Sequence, residues 1–172
     1  MLIVLLLIIT FSSLARLFIL VLFILTNFLL AAGKRFLPRA VGGKYLFGVE
    51  LVMFCTVMTS VAFGSLLGAV MGALLMVINY IGEKRFSQYF PVTIILYSLI
   101  GYFSYFFREY NIVLLGIALT LIYNILVNIL VSFFEANRTT LLIFSLINIL
   151  FNFLIFTSLG STIKELLLQA IY

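Results

Sequence analysis

Apolar residues run through this chain in long blocks, with polar residues gathered in short clusters between them. Residues 2–32 are almost wholly apolar, interrupted by Ser12, Ser13, Arg16, Thr26 and Asn27. One helix of that length rises about 46 Å, against roughly 30 Å of bilayer hydrocarbon. The pattern predicts an uncleaved first span at 14–33 behind a short apolar lead, because no basic region precedes the run as in a signal peptide. Residues 34–46 form the most basic stretch, with Lys34, Arg35, Arg39 and Lys44. Pro38 and the Gly42, Gly43 pair disfavour a helix through it. The apolar run 47–81 is too long for one span, and Gly64 offers a break. It divides the run into a helical hairpin of 47–62 and 65–81, both halves short. Gly82-Glu83-Lys84-Arg85 then precedes a span at 90–107, opened by Pro91 in the first turn, where proline is tolerated. Arg108 and Glu109 mark a turn before a span at 111–134, and Glu135-Ala136-Asn137-Arg138 marks another before a span at 139–160. The tail 161–172 carries Lys164, Glu165 and Gln169 on an apolar background, the pattern of an interfacial helix.

These elements make an all-α polytopic integral membrane protein, with residues 1–172 forming one transmembrane bundle of about six helices. Composition agrees. Of 172 residues 66% are hydrophobic and 9% charged, where a soluble domain carries about 25% charge. The mean hydropathy of +1.37 places the chain in membrane lipid. Tyrosine takes the interfacial role in a chain without tryptophan, with Tyr45, Tyr80, Tyr89, Tyr110 and Tyr172 at span ends. No internal repeat supports an inverted-repeat transporter. Six spans put the loops holding Lys34, Arg35, Arg39, Lys44, Lys84, Arg85 and Arg138 on one side. The positive-inside rule makes that side cytoplasmic and puts both termini outside.

The residue inventory narrows the chemistry. The sequence has no His and no Asp, and its acids are Glu50, Glu83, Glu109, Glu135 and Glu165. A Ser-His-Asp triad, a His-ligated metal and an Asp-rich magnesium site are excluded. The expectation is no enzyme, no metal and no cofactor. Cys55 is the single cysteine, so no internal disulfide forms. Ten basic residues form no stripe or RNA-binding motif, so no nucleic-acid partner is expected.

Three patterns remain as candidates. In Gly64-Ser65-Leu66-Leu67-Gly68-Ala69-Val70-Met71-Gly72-Ala73, glycines at Gly64, Gly68 and Gly72 share a helix face, with Ala69 and Ala73 beside them. Such a face lets another backbone approach closely, either within the bundle or on a partner membrane subunit. The second pattern is polar. Thr120, Asn124 and Asn128 repeat every four residues on the fifth span, and Ser145, Asn148 and Asn152 share a face of the sixth. The two spans are antiparallel about a short turn, so Asn124 should meet Asn148 or Asn152, and Asn128 should meet Ser145. This seam reads either as interhelical hydrogen bonding or as a pocket for a small neutral or zwitterionic ligand. Tyr97 lies on a face of the fourth span with Thr93, Gly101 and Ser104, and would close or support such a pocket. The third candidate is Glu50, about one turn inside the second span. An acid there holds a ligand or proton, or pairs with Lys44 in the headgroup zone. Asn137-Arg138-Thr139 matches a glycosylation acceptor pattern.

From Val49 to Phe107 the chain reads Val49-Glu50-Leu51 and an apolar helix, then the glycine-rich element from Gly64 to Gly72. Phe90-Pro91-Val92 and Leu99-Ile100-Gly101-Tyr102 follow a polar loop. This resembles the six-helix clan that joins substrate-binding S components of energy-coupling-factor (ECF) importers with the rod-shape protein MreD. The resemblance covers the central third of the chain by motif and the remainder by span arrangement. For an S component it implies a ligand site on the last three helices and the first loop, both termini inside, and docking on a coupling subunit served by separate ATPases. For an MreD-like protein it implies no ligand, and a small-residue face that assembles with cell-wall elongation proteins. MreD-like chains often carry an acid just after the glycine-rich element, where this sequence has Met76 and then Asn79.

Overall fold

A computed structural model describes residues 2–36, 48–84, 86–134 and 138–169, with side chains from Ser13 onward. The described residues hold six α-helices and no strand. They are α1 (Leu2–Gly33), α2 (Val52–Phe63), α3 (Ser65–Glu83), α4 (Phe90–Ser104), α5 (Ile112–Ser132) and α6 (Arg138–Gln169). Single 3-10 turns follow α1 at Lys34–Phe36 and α4 at Tyr105–Phe107. Five segments are long and apolar enough to cross a bilayer: Ser13–Phe36, Ser65–Glu83, Phe90–Phe107, Ile112–Ser132 and Arg138–Gln169. The protein is an integral membrane helix bundle.

The sixth helix is different in kind. Twelve residues give α2 a rise of about 18 Å, well short of the hydrocarbon thickness. Every residue from Val52 to Val61 is buried, and α2 touches each of the other five helices. It is the core around which the spans stand. The outer surface is apolar, with Leu14, Phe18, Leu66, Val70, Leu114 and Leu142 all exposed. Lipid is as apolar as these side chains, so their exposure costs nothing there. Polar groups turn inward instead. Asn27, Thr56, Thr59, Ser60, Asn124, Asn148 and Asn152 are buried.

Glycine sets how closely the helices approach. Gly64 separates α2 from α3 at φ 108 and ψ 164, a backbone region that is essentially glycine's alone. A Cβ on Gly68 would lie 2.6 Å from the Gly101 carbonyl oxygen and 2.4 Å from Ser60 Cβ. One on Gly72 would lie 2.4 Å from the Tyr97 carbonyl oxygen. The glycine face of α3 is therefore seated within the bundle, against α2 and α4, while Ala69 and Ala73 are half-buried beside it.

Three expectations change. Helix α2 starts at Val52, not at residue 47, so Glu50 precedes it in irregular backbone instead of lying one turn inside it. Non-helical backbone at depth is tolerated where protein buries it, and Gly48 and Glu50 are both buried. The tail is also not a separate interfacial helix. Helix α6 runs unbroken through Gly160, Lys164 and Glu165 to Gln169, because no proline or turn cluster stops it. The 14–33 span is likewise part of a longer helix, α1. Lys44, Tyr45 and Asn137, which entered the sequence reading, lie outside the described residues, as do Arg39, Arg85 and Tyr172.

Candidate functional site

The polar residues converge at one end of the bundle, where α1 ends, α3 ends, α4 begins, α5 ends and α6 begins. Lys34 and Glu83 join α1 to α3 there through an ion pair of 2.5 Å. Gln88 donates to the Phe134 carbonyl at 3.1 Å, tying the α3–α4 connection to the end of α5. Among the described residues, Lys34, Arg35, Lys84 and Arg138 lie at this end.

Glu50 sits below that end, 2% exposed. Its partners come from three helices. Tyr97 of α4 donates its hydroxyl to Oε1, Asn148 of α6 donates to Oε1 at 3.3 Å, and Asn79 of α3 donates to Oε2 at 3.4 Å. Tyr97 lies seven residues into α4 and Asn148 ten into α6, which places the carboxyl roughly 10–15 Å below the helix ends. No cation lies within salt-bridge distance of it among the described residues.

Close approach of the chain before α2 makes this possible. A Cβ on Gly48 would fall 2.6 Å from both the Asn148 backbone nitrogen and the Phe144 carbonyl oxygen. Only a residue without a side chain lies this near α6. Asn148 responds by donating to the Gly48 carbonyl at 3.1 Å as well as to Glu50. The asparagine seam is continuous with this network. Asn124 donates to Asn148 Oδ1 at 2.9 Å and to the Thr120 carbonyl at 2.8 Å, and Asn128 donates to Ser145 Oγ at 2.6 Å. Asn152 donates to the Asn148 carbonyl at 3.0 Å, and Thr120 donates to the Gly116 carbonyl at 2.7 Å.

Beside the network a cavity of about 150 Å³ opens between α3, α4, α5 and α6. Glu50 lies in its wall with Asn79, Tyr80, Glu83, Thr93 and Tyr123, and the remainder is mostly apolar, from Met76, Val127, Val131, Leu141 and Phe144. Tyr80 hydrogen-bonds Thr93 at 3.2 Å across the wall. The Tyr97 and Tyr123 rings pack with centroids 4.4 Å apart. Tyr123 is fully buried, yet its hydroxyl has no hydrogen-bond partner among the described residues.

Tyr97, Thr120, Asn124, Asn128, Asn148 and Asn152, the residues singled out by spacing, are brought together but none of them lines this cavity. They stand behind it. Tyr97 and Asn148 hold Glu50, Asn124 holds Asn148, Asn128 bonds Ser145 across the α5–α6 contact, and Thr120 and Asn152 bond carbonyls of their own helices. Missed in the spacing were Asn79, Tyr80 and Tyr123, which line the cavity. Asn79 lies within one turn of the end of the apolar run 47–81, where a search for polar groups near block ends would have met it, whereas Tyr123 is mid-helix and is flagged only by directly preceding Asn124.

A second, larger cavity of about 330 Å³ lies at the opposite end, near Gly64, Arg108, Glu109 and Lys164. Its charges are taken up locally. Arg108 pairs with Glu109 at 3.1 Å and lies over the Tyr105 ring, and Lys164 donates to the Arg108 carbonyl at 2.8 Å. The buried carboxyl marks the first cavity as the functional candidate, since an intramembrane acid is costly to retain without a role.

Comparison with protein-family models, with curated proteins and with solved structures finds no match to this chain.

Proposed function

We propose that the chain is a non-catalytic membrane subunit that binds a small molecule, in the manner of the S components it resembles, in the plasma membrane of a prokaryote. The observation that carries this reading is the cavity walled by α3 to α6 and by Glu50 of the first connection. That is where the S-component resemblance implies a ligand site, on the last three helices and the first loop. A concave, mostly apolar wall with a few convergent polar groups is the usual form of a small-molecule site. The braced network behind it favours binding too, because a site needs its polar groups held in place by a second layer.

The partners on this reading are a membrane coupling subunit and separate ATPases, with membrane lipid around the remaining surface. The alternative is an MreD-like scaffold or an accessory subunit of a larger complex, using the small-residue face of α3 for assembly. Gly68 and Gly72 are already occupied by α2 and α4, which favours the binding reading over that one.

Purification in mild detergent followed by mass spectrometry of retained proteins and small molecules tests the proposal. Recovery of a coupling subunit, ATPases and a small molecule is expected. Recovery with cell-wall elongation proteins and no small molecule would overturn it. Import also requires the cavity end to face outside, against the charge count. In a Cys55→Ala background, Gln88→Cys should then react with an impermeant maleimide on intact cells. Protection of that thiol would argue against import.

A further inference from the structure

We infer that the cavity takes a small organic cation, a protonated amine of about the size of benzene, with its charge on Glu50. This rests on the binding reading above and adds the ligand's charge and size. A cavity of about 150 Å³ matches the volume that, elsewhere, accepts benzene. That sets the enclosed part of the ligand at roughly six to eight heavy atoms.

The charge follows from what faces the space. Among the described residues, two acids, Glu50 and Glu83, line the cavity and no basic residue does. Lys34 is engaged by Glu83, so Glu50 is left without a counter-charge among the described residues. Its Oε1 accepts from both Tyr97 and Asn148, whereas among the described residues Oε2 accepts only the long 3.4 Å bond from Asn79. A carboxylate oxygen has room for a further donor, and an ammonium group supplies one together with the missing charge.

The remaining polar group fits the same ligand. Tyr123 lies in the cavity wall, and its wholly buried hydroxyl lacks a partner among the described residues. A phenol oxygen accepts a hydrogen bond readily, so Glu50 and Tyr123 together present two acceptors to an N–H donor. Tyr80, Tyr89 and Tyr123 bring aromatic rings into the wall, and tyrosine faces attract cations electrostatically. Met76, Val127, Val131, Leu141 and Phe144 enclose the apolar body. An anion would meet the Glu50 carboxylate, since Lys34 is engaged by Glu83, and a neutral isostere would forgo the charge-assisted bond.

Thermal unfolding of the purified protein in detergent, with benzylammonium, benzyl alcohol and benzoate as probes of nearly equal size, tests this. Benzylammonium should raise the midpoint and bind about 10- to 100-fold more tightly than benzyl alcohol, the span expected for one charge-assisted hydrogen bond. Benzoate should give no shift. Glu50→Gln should remove the preference while leaving benzyl alcohol binding in place. Tyr123→Phe, which preserves the ring, should weaken benzylammonium by a smaller factor and keeps the test usable if Glu50→Gln fails to fold. Equal or tighter binding of benzyl alcohol or benzoate overturns the cation assignment but leaves the binding reading standing. Absence of any shift with all three probes also overturns the assignment. In that case the binding reading is decided separately, by whether the purified protein retains a small molecule.

Discussion

Gly72→Ala probes the contact that positions the candidate site. The added methyl would stand 2.4 Å from the Tyr97 carbonyl oxygen and 2.8 Å from its carbonyl carbon. Both are helix backbone, so no side-chain rotation relieves the clash, and α3 and α4 must part by about 1 Å to restore ordinary contact. A gap of that size forfeits roughly a quarter to a half of each affected dispersion contact. In lipid nothing hydrophobic restores the loss. Overpacking of this kind costs about 1–3 kcal/mol, while replacing a mid-helix glycine by alanine returns about 1 kcal/mol. Because the clash is with backbone, the cost belongs at the upper end of that range, and the expected balance is a destabilisation of about 2 kcal/mol. The same displacement draws Tyr97 away from Glu50, so ligand affinity should fall with stability. Gly33→Ala supplies the control, because nothing lies within 4 Å of its added methyl. It should be neutral or stabilise by up to about 1 kcal/mol. Unfolding in mixed micelles with increasing dodecyl sulfate, followed by circular dichroism, reads both. Equal stability of Gly72→Ala and wild type would refute the close α3–α4 approach and its role in holding Tyr97.

Asn148→Ala removes one donor from Glu50, the partner of the Gly48 carbonyl and the acceptor of Asn124, and should cost about 1–3 kcal/mol. Asn128→Ala loses a shorter list of bonds and should cost about 0.6–2 kcal/mol. The Asn124→Ala, Asn148→Ala pair should be less than additive in a double-mutant cycle, and full additivity would contradict a shared bond. At Gly64 an alanine meets no neighbour but must adopt φ 108, so Gly64→Ala should destabilise by about 1–3 kcal/mol through backbone strain alone. Unchanged stability would show that the α2–α3 break has another geometry. Cys55 is free, buried and contacted by Asn27 Nδ2 at 3.3 Å. It should resist maleimide in the folded protein and react after denaturation, and rapid labelling of the native state would contradict the central placement of α2.

Much of this architecture was legible because its causes are local. Polar clusters separate apolar blocks, Gly64 interrupts the longest of them, and counting outward from a tight turn sets Asn124 against Asn148 or Asn152 and Asn128 against Ser145. The structure pairs Asn124 with Asn148 and Asn128 with Ser145. Reading failed where the cause is distant or where greasiness is uniform. Lys44, the partner in one of the two roles open to Glu50 in sequence, lies outside the described residues. The partners seen, Asn79, Tyr97 and Asn148, lie 29, 47 and 98 residues away, beyond any local pattern. Helix α2 is apolar like the spans around it, so nothing in its composition says that it is short and enclosed. Thr56, Thr59 and Ser60 were a hint, since three hydroxyl residues within five positions suit a buried helix better than one facing lipid. Helix α6 outran its expected end because the Lys164 and Glu165 pair reads as an interface, although neither residue breaks a helix.

Native mass spectrometry of the wild-type protein beside Val127→Phe addresses binding at the cavity most directly. Val127 lines the cavity and is 3% exposed, so the larger ring fills the space while staying apolar. The cavity assignment predicts a small bound mass on the wild type, displaced by added benzylammonium and missing from a folded Val127→Phe. The same occupancy on both proteins, unmoved by benzylammonium, would contradict it.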